Sequence, residues 1–162
     1  MDSKKMERLL LANQYKMLNQ LFPNQGYDQI EESIRKGFYD YDSLVEDIKN
    51  VVEKEYLKET EDALDLYNVL QRSVEILGSQ SPVTEEKVLF PGYGVSGELE
   101  SSLLDYAIFL RKTGKWSFTK ARREDLKSSS KMRAIYIKQV EIWKKLGKKT
   151  NLSAEDIQEI LK

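Results

Sequence analysis

The chain has 162 residues, 40% of them apolar and 33% charged, with 26 basic side chains against 27 acidic for a net charge of -1, and it contains neither cysteine nor histidine. That length is of single-domain size and sufficient to bury a core. The two missing residue types exclude a disulfide framework, thiolate catalysis and cysteine-based zinc or iron–sulfur sites, and they remove the commonest general base and metal ligand.

The opening Met1–Arg8 stretch is charged and leads into no signal-length apolar run. The longest such run, Leu9–Ala12, is far short of the roughly 20 residues a bilayer span needs, so a cytoplasmic protein without membrane association is predicted. Ser3 caps a first helix to about Leu21, stopped by Phe22-Pro23-Asn24-Gln25-Gly26. A second helix covers Tyr27 to Lys36, with Ile30 and Ile34 on one face and Gly37 as its left-handed terminator. Asp42 caps a third through Leu44, Ile48, Val51 and Val52; Thr60 starts a fourth through Leu64, Tyr67, Leu70 and Val74 to Gly78. After a glycine-rich loop holding Pro82 and Pro91, a fifth helix spans Glu98 to Lys112. The serines Ser128-Ser129-Ser130 offer caps for a sixth, which ends at Leu146 and Gly147. Ser153 with Asp156 forms a capping box for a short seventh helix ending at Leu161. Only Val88-Leu89-Phe90 and Trp116-Ser117-Phe118 read as extended.

The first helix carries two apolar stripes. Met6, Leu9, Leu10, Met17 and Leu21 share one face, and Leu11, Tyr15, Leu18 and Phe22 lie nearly opposite. A helix that is apolar on both sides is either central in its own domain or meets another chain, and Leu11, Tyr15, Leu18 and Phe22 are the candidate interface of a homo-oligomer. Asn13 reads as a core amide that ties a neighbouring backbone.

The sixth helix has its stripe at Met132, Ile135, Tyr136, Val140, Trp143 and Leu146, while Lys131, Lys138 and Lys145 recur every seventh residue outside it. Residues 111–149 hold 14 basic side chains against three acidic, net +11, whereas residues 28–65 hold 13 acidic against five basic, net -8. Three readings of the basic segment stand: a solvated face, charge complementarity with the acidic segment, or an anionic partner such as nucleic acid. Arg122, Arg123, Lys131, Lys138 and Lys145 are the candidate anion-binding residues.

Gly92-Tyr93-Gly94-Val95-Ser96-Gly97 matches G-x-G-x-x-G, but the context of a dinucleotide fold is missing: the preceding apolar run has three residues and ends on Pro91, and no second strand follows the helix. The residues favour a turn in which glycine supplies positive φ. Glu61, Asp62 and Asp65 fall in the opening turns of a helix begun at Thr60, where the dipole favours carboxylates. No catalytic residue, metal site or cofactor is predicted.

The block Glu7-Arg8-Leu9-Leu10-Leu11-Ala12-Asn13-Gln14-Tyr15-Lys16-Met17 resembles the opening signature of the YfbU family of bacterial proteins. Further similarities follow in order: Gly37-Phe38, Asp65-Leu66-Tyr67-x-x-Leu70, Phe90-x-Gly92-Tyr93, Tyr106-x-x-Phe109, Gly114-x-Trp116-x-Phe118, Tyr136, Trp143 and Leu152-Ser153-Ala154-x-x-Ile157-x-x-Ile160. The resemblance spans nearly the whole chain and implies a small, mostly helical protein; its signature residues are Asn13, Gln14, Tyr15, Lys16, Gly92 and Tyr93. Gly94, Gly97 and the strongly basic 119–130 stretch depart from the family pattern.

The sequence therefore predicts an all-α single domain, residues 1–162, of about seven helices, forming a homo-oligomer and acting as a cytoplasmic binding or interaction protein without catalysis. A nucleic-acid-associated regulator using residues 111–149, and a hydrolase or nucleotide-dependent enzyme independent of histidine and cysteine, are the alternatives.

Overall fold

The computed structural model describes residues 3–37 and 52–162, and the chain divides into two compact units, residues 1–50 and Val51–Lys162.

In the first unit, α1 (Ser3–Leu21) and α2 (Tyr27–Lys36) form a helical hairpin. Asn24 and Gly26 turn the chain between them in left-handed backbone, at φ 71° and 77°. Gly37, at φ 79°, ends α2 and returns its N–H to the carbonyls of Ile34 and Ser33, the terminator expected at that position. Arg8 fastens the pair. Its Nε and Nη2 donate to the Ile34 carbonyl at 3.0 and 2.7 Å, and Nη2 also reaches the Arg35 carbonyl at 3.1 Å. A guanidinium thus sits on the carbonyl end of α2, where the helix dipole favours a cation. The helix expected from Asp42 lies outside the described residues; Val52, its last member, is described and is not helical.

The second unit is built around α3 (Lys54–Leu77), with α4 (Glu98–Lys112), α5 (Arg133–Lys145) and α6 (Ala154–Leu161), so six helices are present among the described residues. One stretch of α3 packs Ala63, Leu64 and Tyr67 with Leu103, Leu104, Ala107 and Leu110 of α4. The other packs Leu66, Leu70 and Val74 with Val140 and Trp143 of α5 and Ile157 and Ile160 of α6. No helix among the described residues is long and apolar enough to cross a membrane.

Three boundaries differ from the sequence expectation. α3 begins at Lys54, not Thr60, because Lys54 to Glu59 continue the helix with good formers; Thr60 is fully buried, and its Oγ1 accepts a hydrogen bond from Tyr93 at 3.1 Å. The serines do not cap α5. Ser128 lies in β2 (Lys127–Ser128), paired in parallel with β1 (Tyr93–Gly94), and the first amide of α5, that of Arg133, donates instead to Glu100 Oε1 at 2.8 Å. The expected extended segments are also displaced. Val88 closes a 3-10 turn from Glu85, Phe90 pairs only with Ala121, and Trp116–Phe118 form a turn. On α5, Ile135 is exposed, whereas Met132, Tyr136, Gln139, Val140 and Trp143 are buried. The box at α6 forms as expected: Ser153 Oγ accepts from the Asp156 amide at 3.2 Å, and Asp156 Oδ2 accepts from the Ser153 amide at 3.0 Å.

Candidate functional site

Gly92 and Tyr93 lie in a buried segment of the second unit. Tyr67, Phe90, Tyr93 and Tyr136 meet in one ring cluster, with Tyr136 edge-on to Tyr67 at 5.6 Å and to Tyr93 at 5.2 Å and stacked on Phe90 at 5.3 Å. Such pairs add to the burial of aromatic area. Each buried hydroxyl has an acceptor: Tyr67 donates to Gln139 Oε1 at 3.2 Å, Tyr93 to Thr60 Oγ1 at 3.1 Å, and Tyr136 to the Gly92 carbonyl at 2.6 Å. Burial pushes the Tyr67 phenol up to about 12 and raises Tyr93 and Tyr136 further, so all three stay protonated near neutral pH.

The Gly92 position tolerates no side chain. Its φ is 84°, and a Cβ there would stand 1.8 Å from the Leu126 carbonyl oxygen, which accepts the Tyr93 amide at 2.9 Å. Gly97 is also left-handed, at φ 96°, but has open space around it. Glu100 holds the segment to α5 by accepting the Gly94 amide at 2.9 Å as well as that of Arg133.

Four carboxylates of α3 are tied to other parts of the unit. Glu59 forms a two-point pair with Arg133, at 2.7 and 2.9 Å. Glu61 accepts from the Tyr106 hydroxyl at 2.9 Å, and Asp65 from Trp116 Nε1 at 2.7 Å. Asp62, only 4% exposed, receives Lys144 at 2.9 Å, Lys58 at 3.1 Å and Lys148 at 3.4 Å. Burial alone would raise its pKa, but hydrogen bonds from Lys144 and Lys58 outweigh that and hold the carboxyl below its ordinary range. With the helix starting at Lys54, these acids lie beyond its first turn, so tertiary partners rather than the dipole account for them. Glu59, Asp62, Arg133 and Lys144 line a cavity of about 190 Å³ whose floor includes Tyr93 and Tyr136.

A second cavity, of about 310 Å³, contains Gln71, Phe118 and Lys120. The Gln71 amide is fully engaged: its nitrogen donates to the carbonyls of Val88 and Lys120 at 2.9 and 2.7 Å, and its oxygen accepts the Lys120 amide at 2.8 Å. Among the described residues no group of three acidic side chains comes together as a metal site.

The candidate basic residues are scattered in environment. Arg122 is exposed, and its backbone amide donates to the Phe90 carbonyl; Arg123 pairs with Asp125 at 3.1 Å. Lys131, Lys138 and Lys145 are exposed and form no ion pair among the described residues. By contrast, Arg133, Lys144 and Lys148 are bound to the acids of α3, so part of the charge separation along the sequence is matched inside this unit.

In the first unit, Asn13 is exposed rather than a core amide, and its Oδ1 accepts from Arg35 Nη2 at 3.0 Å. Tyr15 is half-buried, with its ring 5.9 Å from that of Tyr27; Leu11 and Leu18 are also half-buried, whereas Phe22, Gln14 and Lys16 are exposed. Sequence reasoning missed Glu100, Gln71 and Gln139. Apart from Gly94, six positions from Glu100, their partners stand between 17 and 72 positions away, and no local pattern encodes such pairings.

These features define a helical protein whose marked polar side chains are turned to fixing its own core. The chain matches the YfbU domain over residues 1–162 and belongs to that family. It is 30% identical over 164 residues to a UPF0304 protein of Actinobacillus succinogenes, covering 99% of both chains. It is 29% identical to one from Histophilus somni, again over 99% of both, and 31% identical to one from Methanocaldococcus jannaschii over 97% of both.

Proposed function

We propose that this chain is a non-catalytic interaction protein of the cytoplasm, which works through its surface and forms a homo-oligomer. One contrast carries the reading. The Tyr67, Tyr93 and Tyr136 hydroxyls and the carboxylates of Glu59, Glu61, Asp62 and Asp65 all have partners within the second unit, while α1 exposes Leu9, Leu10, Met17 and Leu21. Catalysis needs a polar group free to engage substrate, and a contiguous exposed apolar face needs a cover. The test is a thermal-shift screen with nucleotides and Mg²⁺. A ligand at 100 times its Kd stabilises by about 2.7 kcal/mol. No shift is expected; a clear shift replaces this reading with that of a hydrolase or nucleotide-dependent enzyme that uses neither histidine nor cysteine.

A second reading rests on Lys131, Lys138 and Lys145, exposed and without ion pairs among the described residues, with Arg122 and Arg123 as further candidates: an anionic partner such as nucleic acid. It requires retention on heparin at moderate salt and a retarded band with labelled DNA or RNA. Elution near ~0.1 M salt with no retarded band removes it.

A further inference from the structure

The exposed stripe of α1 has an internal symmetry. Met6, Leu10, Met17 and Leu21 are spaced by four, seven and four residues, so reversing the helix direction places Met6 on Leu21 and Leu10 on Met17. At 100° per residue these four fall within about 60° of one another on the helix surface. The centre of the stripe is flanked by Asn13, which accepts from Arg35 of α2, and by Gln14, and no charged residue of α1 falls within it between Met6 and Leu21. Leu10 is 58% exposed, Met17 56% and Leu21 70%, while Met6 is half-buried. The hairpin itself fully buries only Ala12 and Ile34 among the described residues, so it gains little from its own packing.

The ends of α1 favour one orientation. Lys4 and Lys5 lie in its first turn, which holds no acidic residue, and its last turn holds no basic one. The lysines run against the helix dipole, and the carbonyl end has no cation from its own last turn. Laid antiparallel, two copies bring the lysines of each over the carbonyl end of the other, whereas a parallel pair sets lysine against lysine.

We infer that this stripe is the contact between two copies of the chain, α1 packed antiparallel on α1 about a two-fold axis passing between Asn13 and Gln14. The inference deepens the interaction reading above and rests on it. A two-fold contact uses the same patch on both copies, and a face with palindromic spacing meets itself apolar on apolar. Leu9, 47% exposed, lies beside the stripe and extends it.

The test is the mass of the full chain in solution, by size-exclusion chromatography with light scattering. Twice the chain mass is expected, falling to the single mass in a Leu10→Glu, Met17→Glu variant, with association weakened and the dimer Kd raised by at least ~100-fold. Both positions are more than half exposed, so far-UV circular dichroism and the melting of the monomer are expected to be unchanged. Because the chain has no cysteine, orientation is read from single introduced thiols. Gln14→Cys, near the axis, is expected to yield a covalent dimer with a short bismaleimide, and Leu21→Cys is not. A dimer whose mass survives the double substitution overturns the assignment of the stripe, and self-linking of Leu21→Cys overturns the antiparallel orientation. A strict monomer at ~100 µM overturns the pairing and with it the homo-oligomer, whereas the non-catalytic part of the reading above fails separately, on the nucleotide screen.

Discussion

The Tyr136 hydroxyl donates a 2.6 Å hydrogen bond to the carbonyl of Gly92, joining α5 to a segment 44 positions earlier at a point where both residues are buried. Removing that hydroxyl leaves a buried carbonyl without this donor, at a cost of about 1–2 kcal/mol. Tyr136→Phe is therefore expected to lower the melting temperature of the second unit by several degrees while preserving its helicity. Tyr67→Phe is expected to cost less, because Gln139 accepts from Tyr67 at a longer 3.2 Å and retains some exposure. Thermal melts of the two variants side by side check the order; equal or reversed costs contradict it.

Two glycines of the G-x-G-x-x-G stretch separate cleanly. A Cβ at Gly92 meets backbone at 1.8 Å, and that backbone belongs to Leu126, itself buried and left-handed at φ 53°. Neither side can yield, so Gly92→Ala is expected to cost more than ~3 kcal/mol and to appear as insoluble or unfolded protein. Gly97→Ala meets no atom within 4 Å and bears only the strain of φ 96° with ψ 141°, for about 1–3 kcal/mol. Soluble yield and urea midpoints distinguish them. Similar behaviour would mean that positive φ, rather than the close approach, governs both.

The helices were legible because their signals are local. Gly37 ends α2, Ser153 and Asp156 start α6, and the spacing of Leu64, Tyr67, Leu70 and Val74 runs through α3. What escaped depends on distant partners. Thr60 resembles an N-cap, yet the helix runs through it and its hydroxyl serves Tyr93, 33 positions on. Ser128 to Ser130 resemble caps for α5, yet Glu100 provides the acceptor from another helix. Asn13 suggested a core amide, while the glutamines Gln71 and Gln139 fill such roles instead. The family resemblance marked Phe90, Tyr93, Tyr67 and Tyr136, but only the fold shows that they are one ring cluster.

The capping box at α6 gives a local test. Ser153→Ala removes the acceptor for the Asp156 amide and is expected to cost about 1 kcal/mol. Because α6 supplies Ile157 and Ile160 to the core, the loss is expected as faster hydrogen exchange across residues 154–161 before any global unfolding. Unchanged exchange in α6 would show that burial of the two isoleucines alone holds the helix in place.

Asp62 makes stability depend on pH at both ends of the scale. Its carboxyl is held below the ordinary range in the folded chain, so its contribution is present above the unfolded value of about 3.9 and is lost as pH falls through the folded value. Lys58 moves the other way. Its hydrogen bond to Asp62 raises its pKa, so that contribution is complete below about 10.4 and is lost as pH rises through the folded value. Asp62→Asn abolishes both, leaving Lys58, Lys144 and Lys148 without their shared counter-charge. Since these lysines are about half exposed, solvent screens them, and the expected cost at neutral pH is about 1–3 kcal/mol. The difference between the parent chain and Asp62→Asn is expected to be flat from about pH 5 to 9 and to narrow below about pH 4 and above about pH 10.5. Urea denaturation across that range provides the measurement. A difference that does not change with pH would assign the effect of the substitution to packing around a buried side chain rather than to its charge.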